Sequence, residues 1–273
     1  MKFLLNEHCL SIRKACASNG LSRSAWYRPL VDWTERDHLV IEALSALAAS
    51  KPGLGFWKLF ARLRRMGHLW NHKRVYRVYC RLKLHLRRRT KKRFPVRNPL
   101  PLFVPEAPNR VWSADFMSDA LYSGVRFRTF NVLDDFNREA LAIEIDTSLP
   151  SERLVRVFEQ IREERGLPDV LRTDNGPEFL GEVFVAWCEE NGVMLDYIEP
   201  GKPNQNAFIE RFNRSYRNEV LNTWLFRDLD EVREITWAWM LEYNEERDHD
   251  GLGGLTPAKV LANAKVSTLE WST

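Results

Sequence analysis

At 273 residues, with 44% hydrophobic and 12% aromatic content, the chain is long enough for one sizeable core plus a smaller domain, and the composition argues for a globular protein. No apolar run approaches the roughly 18 residues that span a membrane, and the stretch behind Met1 is too short for a secretory signal, so a cytoplasmic location is expected. The net charge of +4 hides an asymmetry: Ala43 to Pro105 holds 17 Lys and Arg and no Asp or Glu, whereas residues 106–273 hold 18 basic and 32 acidic side chains.

Opposite charge in two regions implies two tasks, and a basic block of this density fits a phosphate-rich partner. Residues 1–30 carry a weak helix-turn-helix-like pattern, with Ser11–Cys16 and Ser22–Tyr27 as helices and Asn19-Gly20 as a stop; a small packing element is an equal reading. Residues 36–83 read as three helices. Leu39, Ile41, Leu44 and Leu47 give the first its apolar stripe. Phe56, Leu59, Phe60 and Leu63 carry the second, and Asn71 caps a third with Val75, Val78, Tyr79 and Leu82 at helical spacing. Helix, turn, helix with an outer basic face is compatible with docking in a major groove. The run Arg87, Arg88, Arg89, Thr90, Lys91, Lys92, Arg93 has no neutralising acid and favours nucleic-acid contact. Residues 1–93 are therefore read as a helical basic DNA-binding region. Residues 94–109, with prolines at 95, 99, 101, 105 and 108, are read as an extended linker. Cys9, Cys16, Cys80 and Cys188 are scattered without a C-x-x-C pair, which suits reduced thiols. His68 and His72 make a poor zinc site.

Past the linker the period changes. Val111–Phe116, Val125–Leu133 and Ala140–Ile145 alternate as three strands joined by short turns, an antiparallel meander. Ser151–Arg165 follows as a helix capped by Ser151, then a strand ending at Asp174, a helix from Glu178 to Asn191, and a last strand, Val193–Ile198. The order β-β-β-α-β-α-β, then helices, describes an α/β mixed sheet and is that of the ribonuclease H-like fold, here behind an N-terminal all-helical basic domain. The core is placed at 110–262 and a tail at 263–273.

Asp174 sits in LRTDNGPEF, at the C-terminal end of a strand, where α/β sheets place their chemistry. Asp115 lies on the first strand, which is commonly central, so the two can approach from neighbouring strands. A third acid is expected from the helical segment 203–221. There Phe208, Phe212 and Tyr216 form one face, and Glu210 projects elsewhere with Arg214 and Arg217. Spacing alone leaves two readings of Glu210 open: a metal-holding acid, or a surface pair with Arg214. Asp134 and Asp135 read as turn formers. Asp119 is placed past the strand.

The stretches PNRVWSADF (108–116), NVLDDFNRE (131–139), LRTDNGPEF (171–179), PGKPNQNAFIERFNRSYRNEVLN (200–222), YNEERDH (243–249) and GLTPAKV (254–260) resemble the catalytic, second-frame subunit of insertion-sequence transposases of the insertion sequence three family, which are related to retroviral integrases. The 35 residues between Asp174 and Glu210 match that family's spacing. Arg247-Asp248-His249 departs from its usual Arg-Pro-His. The resemblance implies a catalytic triad of Asp115, Asp174 and Glu210. It also implies DNA contacts at Lys202, Gln205, Asn206, Arg214 and Arg217, and a loop beside Asp174 shaped by Asn175 and Gly176. The cofactor it implies is Mg2+, two ions per site, with Mn2+ able to substitute. Asp115 would bridge both ions, and Asp174 and Glu210 would hold one each. Paired hard cations suit phosphodiester cleavage, because negative charge builds on phosphorus and no protein nucleophile is needed. The expected partners are element-end and target DNA, a second copy of the chain on DNA, and an upstream-frame protein or a frameshift fusion to it. No membrane partner is expected, and a bacterial cytoplasmic setting on the nucleoid is. The competing readings are a catalytically inactive DNA-binding regulator of transposition and a nuclease for RNA–DNA hybrids.

Overall fold

The computed structural model of the chain describes residues 2–28, 32–86, 104–199 and 206–270. These divide into two compact units, Met1–Leu86 and Arg87–Thr273.

The first unit is all helical: α1 Lys2–Asn6, α2 Ile12–Ser18, α3 Arg23–Tyr27, α4 Trp33–Arg36, α5 His38–Ser50, α6 Phe56–Arg65 and α7 His72–Arg81. The expected caps are present. The Ser22 side chain accepts from the Ala25 N–H at 3.1 Å, and Asn71 accepts from the Lys73 N–H at 2.9 Å. Val40, Leu44, Leu59, Leu63, Val75, Val78 and Tyr79 form the core. The inward stripe of α5 is offset from expectation: it runs through Val40 and Leu44, one helical repeat apart, and leaves Leu39 57% exposed. His68 lies outside the helices, stacked on Trp70 at 4.2 Å between ring centroids, while His72 opens α7, so the two share no helix face. The cationic run Arg87–Arg93 lies outside the described residues, as does the proline-rich segment as far as 103. Its last residues do not form a loose linker. Pro105 is buried, and Asn109 is tied to the second unit through its N–H to Asp134 Oδ2 (3.0 Å) and its Nδ2 to the Arg165 carbonyl (3.0 Å).

The second unit is built on strands β1 Val111–Ala120, β2 Arg126–Asp134, β3 Ala140–Asp146, β4 Val170–Thr173 and β5 Met194–Tyr197, in the sheet order β3-β2-β1-β4-β5. β1, β2 and β3 are the antiparallel meander, and β4 and β5 run parallel to β1 and β4 respectively. Alternation along the strands gives the sheet two faces. One buries Trp112, Ala114, Phe130, Val132 and Leu171 under α8 Ser151–Arg165 and α9 Glu182–Glu190. The other buries Met117, Phe127, Leu133 and Ile145 under α10 Ala207–Tyr216 and α11 Leu229–Glu245. The result is three layers, helices over both faces of a mixed sheet.

Several boundaries differ from those read in the sequence. β1 continues to Ala120, because every residue from Trp112 onward finds a partner on β2, so Asp119 lies on the strand and not beyond it. Ser151 is the first residue of α8 rather than its cap. Its hydroxyl donates to the Glu178 carbonyl (2.8 Å), fastening the loop after β4. That fastening, with Phe179 fully buried, holds residues 177–180 as a turn and delays α9 to Glu182. The segment through Leu221 is not one helix: α10 gives way to a π-helical turn, Arg217–Leu221. A short 3-10 turn, Asp250–Leu252, follows α11, and the Arg-Asp-His departure is accommodated by an His249–Leu255 bridge. The expected tail is helical as far as Glu270, within α12 Pro257–Glu270, which the Thr256 hydroxyl opens by accepting from the Lys259 N–H (3.3 Å).

β3 is an outer strand whose ladder groups need partners. Asn244 of α11 supplies them at Ala140, donating from Nδ2 to the carbonyl and accepting from the N–H, each at 2.9 Å. Asn244→Ala is expected to cost about 1–2 kcal/mol, since two half-buried backbone groups lose their partners. Urea denaturation of the two proteins checks this, and an unchanged midpoint would assign the contact no weight.

Candidate active site

The parallel ladder between β1 and β4 pairs Val111 with Val170, Trp112 with Leu171 and Ser113 with Arg172. Carried two residues on, the same register sets Asp115 beside Asp174, both on the face covered by α10. The chain turns sharply after Asp174. Its Oδ1 accepts from the Gly176 N–H at 3.0 Å, and a Cβ on Gly176 would lie 3.0 Å from that same oxygen. Any side chain there would push on the carboxylate, which gives the glycine of Asp-Asn-Gly its reason. Asn175 donates to the Ile198 carbonyl (3.3 Å) and ties this turn to the end of β5.

Glu210 lies in the first turn of α10 and is exposed. Among the described residues it forms no ion pair with Arg214, so the surface-pair reading finds no support. Its charge, with that of Asp174, reaches Asp115. The Asp115 carboxyl is pushed up to about 6, first by burial and then by repulsion from Asp174 and Glu210, against hydrogen bonds that favour the charged form. Those bonds are the Phe116 N–H to Oδ1 (2.8 Å) and Asn213 Nδ2 to Oδ2 (2.8 Å).

Asn213 was not identified from the sequence. It is buried on the inward face of α10, between Ile209, Phe212 and Tyr216. Its Oδ1 accepts from Asn131 Nδ2 at 2.7 Å, and Asn131 is the β2 residue directly opposite Asp115. A chain Asn131–Asn213–Asp115 therefore sets one carboxylate oxygen. The available signal was an amide within an apolar helical stripe, one turn after Glu210.

Donor chemistry fits a hard divalent cation: carboxylates on adjacent strands, a third whose field they share, and no opposing cation ion-paired to Asp115 or Asp174 among the described residues. Among the described residues no three acid, histidine or cysteine side chains lie close enough to grasp one ion together.

The expected DNA contacts divide. Arg214 is exposed beside Glu210. Arg217 is instead committed to the protein, bonded to Asp119 (3.2 Å) and to the Ser118 carbonyl (2.9 Å), because Asp119 faces α10 from the extended strand. Asn206 is buried at the start of α10, with its Oδ1 lacking a hydrogen-bond partner among the described residues. Lys202 and Gln205, like Arg87, Arg88, Arg89, Lys91, Lys92 and Arg93, lie outside the described residues. Asp134 and Asp135 are fully buried and do more than turn the chain. Asp134 accepts from the Phe136 and Asn109 N–H groups, and Asp135 accepts from the Ser113 hydroxyl (2.7 Å) and meets Arg172 (3.4 Å). Burial pushes the Asp135 carboxyl up to about 6 as well, one layer beneath the Asp115–Asp174 pair.

Comparison with known proteins agrees with this architecture. Residues 105–203 and 191–257 match family models described as Integrase core domain, and residues 34–93 match one described as HTH-like domain. A 31.7 kDa protein of insertion element IS407 from Burkholderia multivorans is 38% identical over 258 residues, covering 94% of this chain and 93% of that one. A 39.2 kDa protein of insertion element IS476 from Xanthomonas euvesicatoria is 38% identical over 260 residues, covering 95% and 75%. Among solved structures, the HTLV-2 integrase catalytic core domain in complex with magnesium aligns at 21% identity with a TM-score of 0.47, over 56% of this chain and 97% of that one. No helix among the described residues is long and apolar enough to cross a membrane. The chain belongs to the insertion-element transposases, with an integrase core behind a helix-turn-helix-like domain.

Proposed function

We propose that this chain cleaves DNA at the ends of an insertion sequence and joins the freed 3′-hydroxyl to a second strand, with Asp115, Asp174 and Glu210 as its catalytic acids. The observation that carries the reading is the β1–β4 register. It brings two aspartates far apart in sequence side by side under the helix that bears Glu210. Asp115, within β1, and Asp174, just past the end of β4, would hold Mg2+ from below, and Glu210 would close on it from α10. Bound there, magnesium supplies Lewis-acid polarisation of the phosphate and a more acidic attacking water or hydroxyl. Asn213 donates to Asp115 Oδ2 and would fix the orientation of that carboxylate. Arg214, exposed one turn beyond Glu210, is placed to meet the phosphate backbone that the acids would repel. Arg217 would reach DNA only by leaving Asp119, so its contact would carry the cost of an ion-pair exchange.

The deciding experiment is a strand-transfer assay on duplexes carrying the element's terminal repeats, with and without Mg2+ or Mn2+, and with an RNA–DNA hybrid as control. Metal-dependent joined product on the element ends is expected. Binding without product would favour a regulator, and preferential cutting of the hybrid would favour a nuclease. Asn213→Ala is expected to lower joining by about ten- to a hundredfold, the usual cost of losing a side chain that aims a metal-holding carboxylate. The metal concentration giving half-maximal rate should rise with it. An unchanged metal requirement would reduce Asn213 to a packing role.

A further inference from the structure

We propose that the N-terminal unit reads duplex DNA with one arc of α7, formed by His72, Lys73 and Tyr76 and flanked by Trp57 of α6, and that Arg74 and Arg77 on the same helix are structural. This rests on the DNA-handling reading above and names the surface that would serve it.

At 100° per residue, α7 presents three arcs. Val75, Val78 and Tyr79 face the core and are buried. Arg74 and Arg77 lie on the second arc, turned toward α4 and α5, where both are engaged. Asp37, at the junction of those helices, is fully buried. It accepts from Arg74 Nε on one oxygen (2.8 Å) and from Arg77 Nη2 on the other (2.7 Å). Arg74 also donates to the Arg36 carbonyl (2.7 Å), and the Arg77 guanidinium lies 4.6 Å from the centre of the Trp33 ring. A buried carboxylate stripped of its cations is strongly unfavourable, and a guanidinium fork cannot serve a carboxylate and a base edge at once. The two arginines nearest the middle of the helix are thus withheld from a ligand.

The third arc is exposed. It holds His72 and Lys73 in the first turn and Tyr76 one turn on. Beside it, Trp57 is 67% exposed with its ring 5.9 Å from that of His72. Phe56 lies beneath, 5.1 Å from Trp57 and 4.9 Å from Tyr76, and joins these rings into one aromatic surface. No Asp or Glu occurs in this unit after Glu42. An exposed set of rings with a cation among them, on helices α6 and α7 that carry no carboxylate of their own, matches the chemistry of a DNA groove. Lysine can bond guanine or phosphate there, and the rings can meet thymine methyl groups and sugars. The arc also lies at the N-terminal end of the second helix of a helix-turn-helix, the end that reaches base edges in such motifs.

The test is a binding selection with the full chain against a pool of duplexes with a randomised core, followed by affinities for the enriched duplex and melting temperatures of each variant. Lys73→Ala and Tyr76→Ala are expected to lose about five- to a hundredfold in affinity and to relax the enriched motif at adjacent base pairs, with unchanged melting. Arg74→Ala and Arg77→Ala are expected to melt lower yet, below their melting temperature, to enrich the parental motif. Lys73 is exposed, so its variant stands in if Tyr76→Ala does not fold. The proposal is overturned if Lys73→Ala keeps the parental motif and affinity, if an arginine variant changes the motif while melting normally, or if the parent enriches no motif. Selection reads binding alone, so these failures stay separate from any failure of the acid triad in strand transfer.

Discussion

Alanine at Asp115, Asp174 or Glu210 is expected to abolish strand cleavage and joining, lowering the rate by more than about a thousandfold, while DNA binding and the melting curve survive. On the proposed reading each acid would supply a hard oxygen to the cation site, and a site that had lost one donor would no longer place the remaining two against the phosphate. The losses should not add: a double variant should fall no further than the worse single one, as for groups that act as a unit. Glu210 is exposed and Asp174 half-buried, so neither substitution opens a core cavity, and lost activity cannot be charged to unfolding. Gel-shift binding, thermal melting and strand transfer on one set of proteins separate the cases. Substantial joining by any of the three variants would remove that residue from the site.

Asp115→Asn is expected to make the protein more stable at pH 7.5 when divalent ions are chelated, an unusual outcome for an active-site change. The Asp115 carboxyl ionises near 3.8 in an unfolded chain and near 6 in the folded one. Between those values the folded state holds a proton that the unfolded state has released, so stability falls as pH rises through the window. Above about 6 the full penalty of the buried, crowded charge is present. It corresponds to about 3 kcal/mol at most, and partial solvent contact reduces it. Asparagine keeps the shape without the charge once the Asn213 and Asn131 amides turn over, so that Asn213 Oδ1 accepts from the new NH2; melting at pH 7.5 should then rise by roughly 2–8 °C, and the gain should vanish by pH 4. Added Mg2+ should raise the parent's melting temperature more at pH 7.5 than at pH 5, and the Asn variant's much less. An Asn variant that melts lower at pH 7.5, or a magnesium effect indifferent to pH, would mean the charge at 115 is not the strained group.

The same two aspartates show how far the sequence could be read. Their placement was legible because strand periodicity fixed the order of elements, and a meander followed by βαβ steps makes the first strand central. Once β1 and β4 are neighbours, register sets Asp115 beside Asp174. The caps at Ser22 and Asn71 were legible for a similar reason, since local chemistry decides them. What was not legible depended on contacts between distant segments. α9 starts late because Ser151 and buried Phe179 hold the preceding turn, a tertiary effect invisible to helical spacing. Arg217 looked available because Asp119 was placed off the strand, and only full pairing of β1 with β2 turns that carboxylate toward it. Asn213 is not legible because it lies within an apolar helical stripe and reaches the site from the packed side. Leu39 was placed inside for want of a way to tell its stripe from Val40's.

The outer strand of the sheet has a consequence for assembly. Asn244 occupies both main-chain groups of Ala140, and the Arg233 guanidinium bonds the Ile145 carbonyl near the other end of the same strand (3.0 Å). With those positions filled from α11, a neighbouring molecule cannot pair with the main chain at either of them. Growth into open-ended fibrils from the β3 margin is therefore hindered at both ends of that strand.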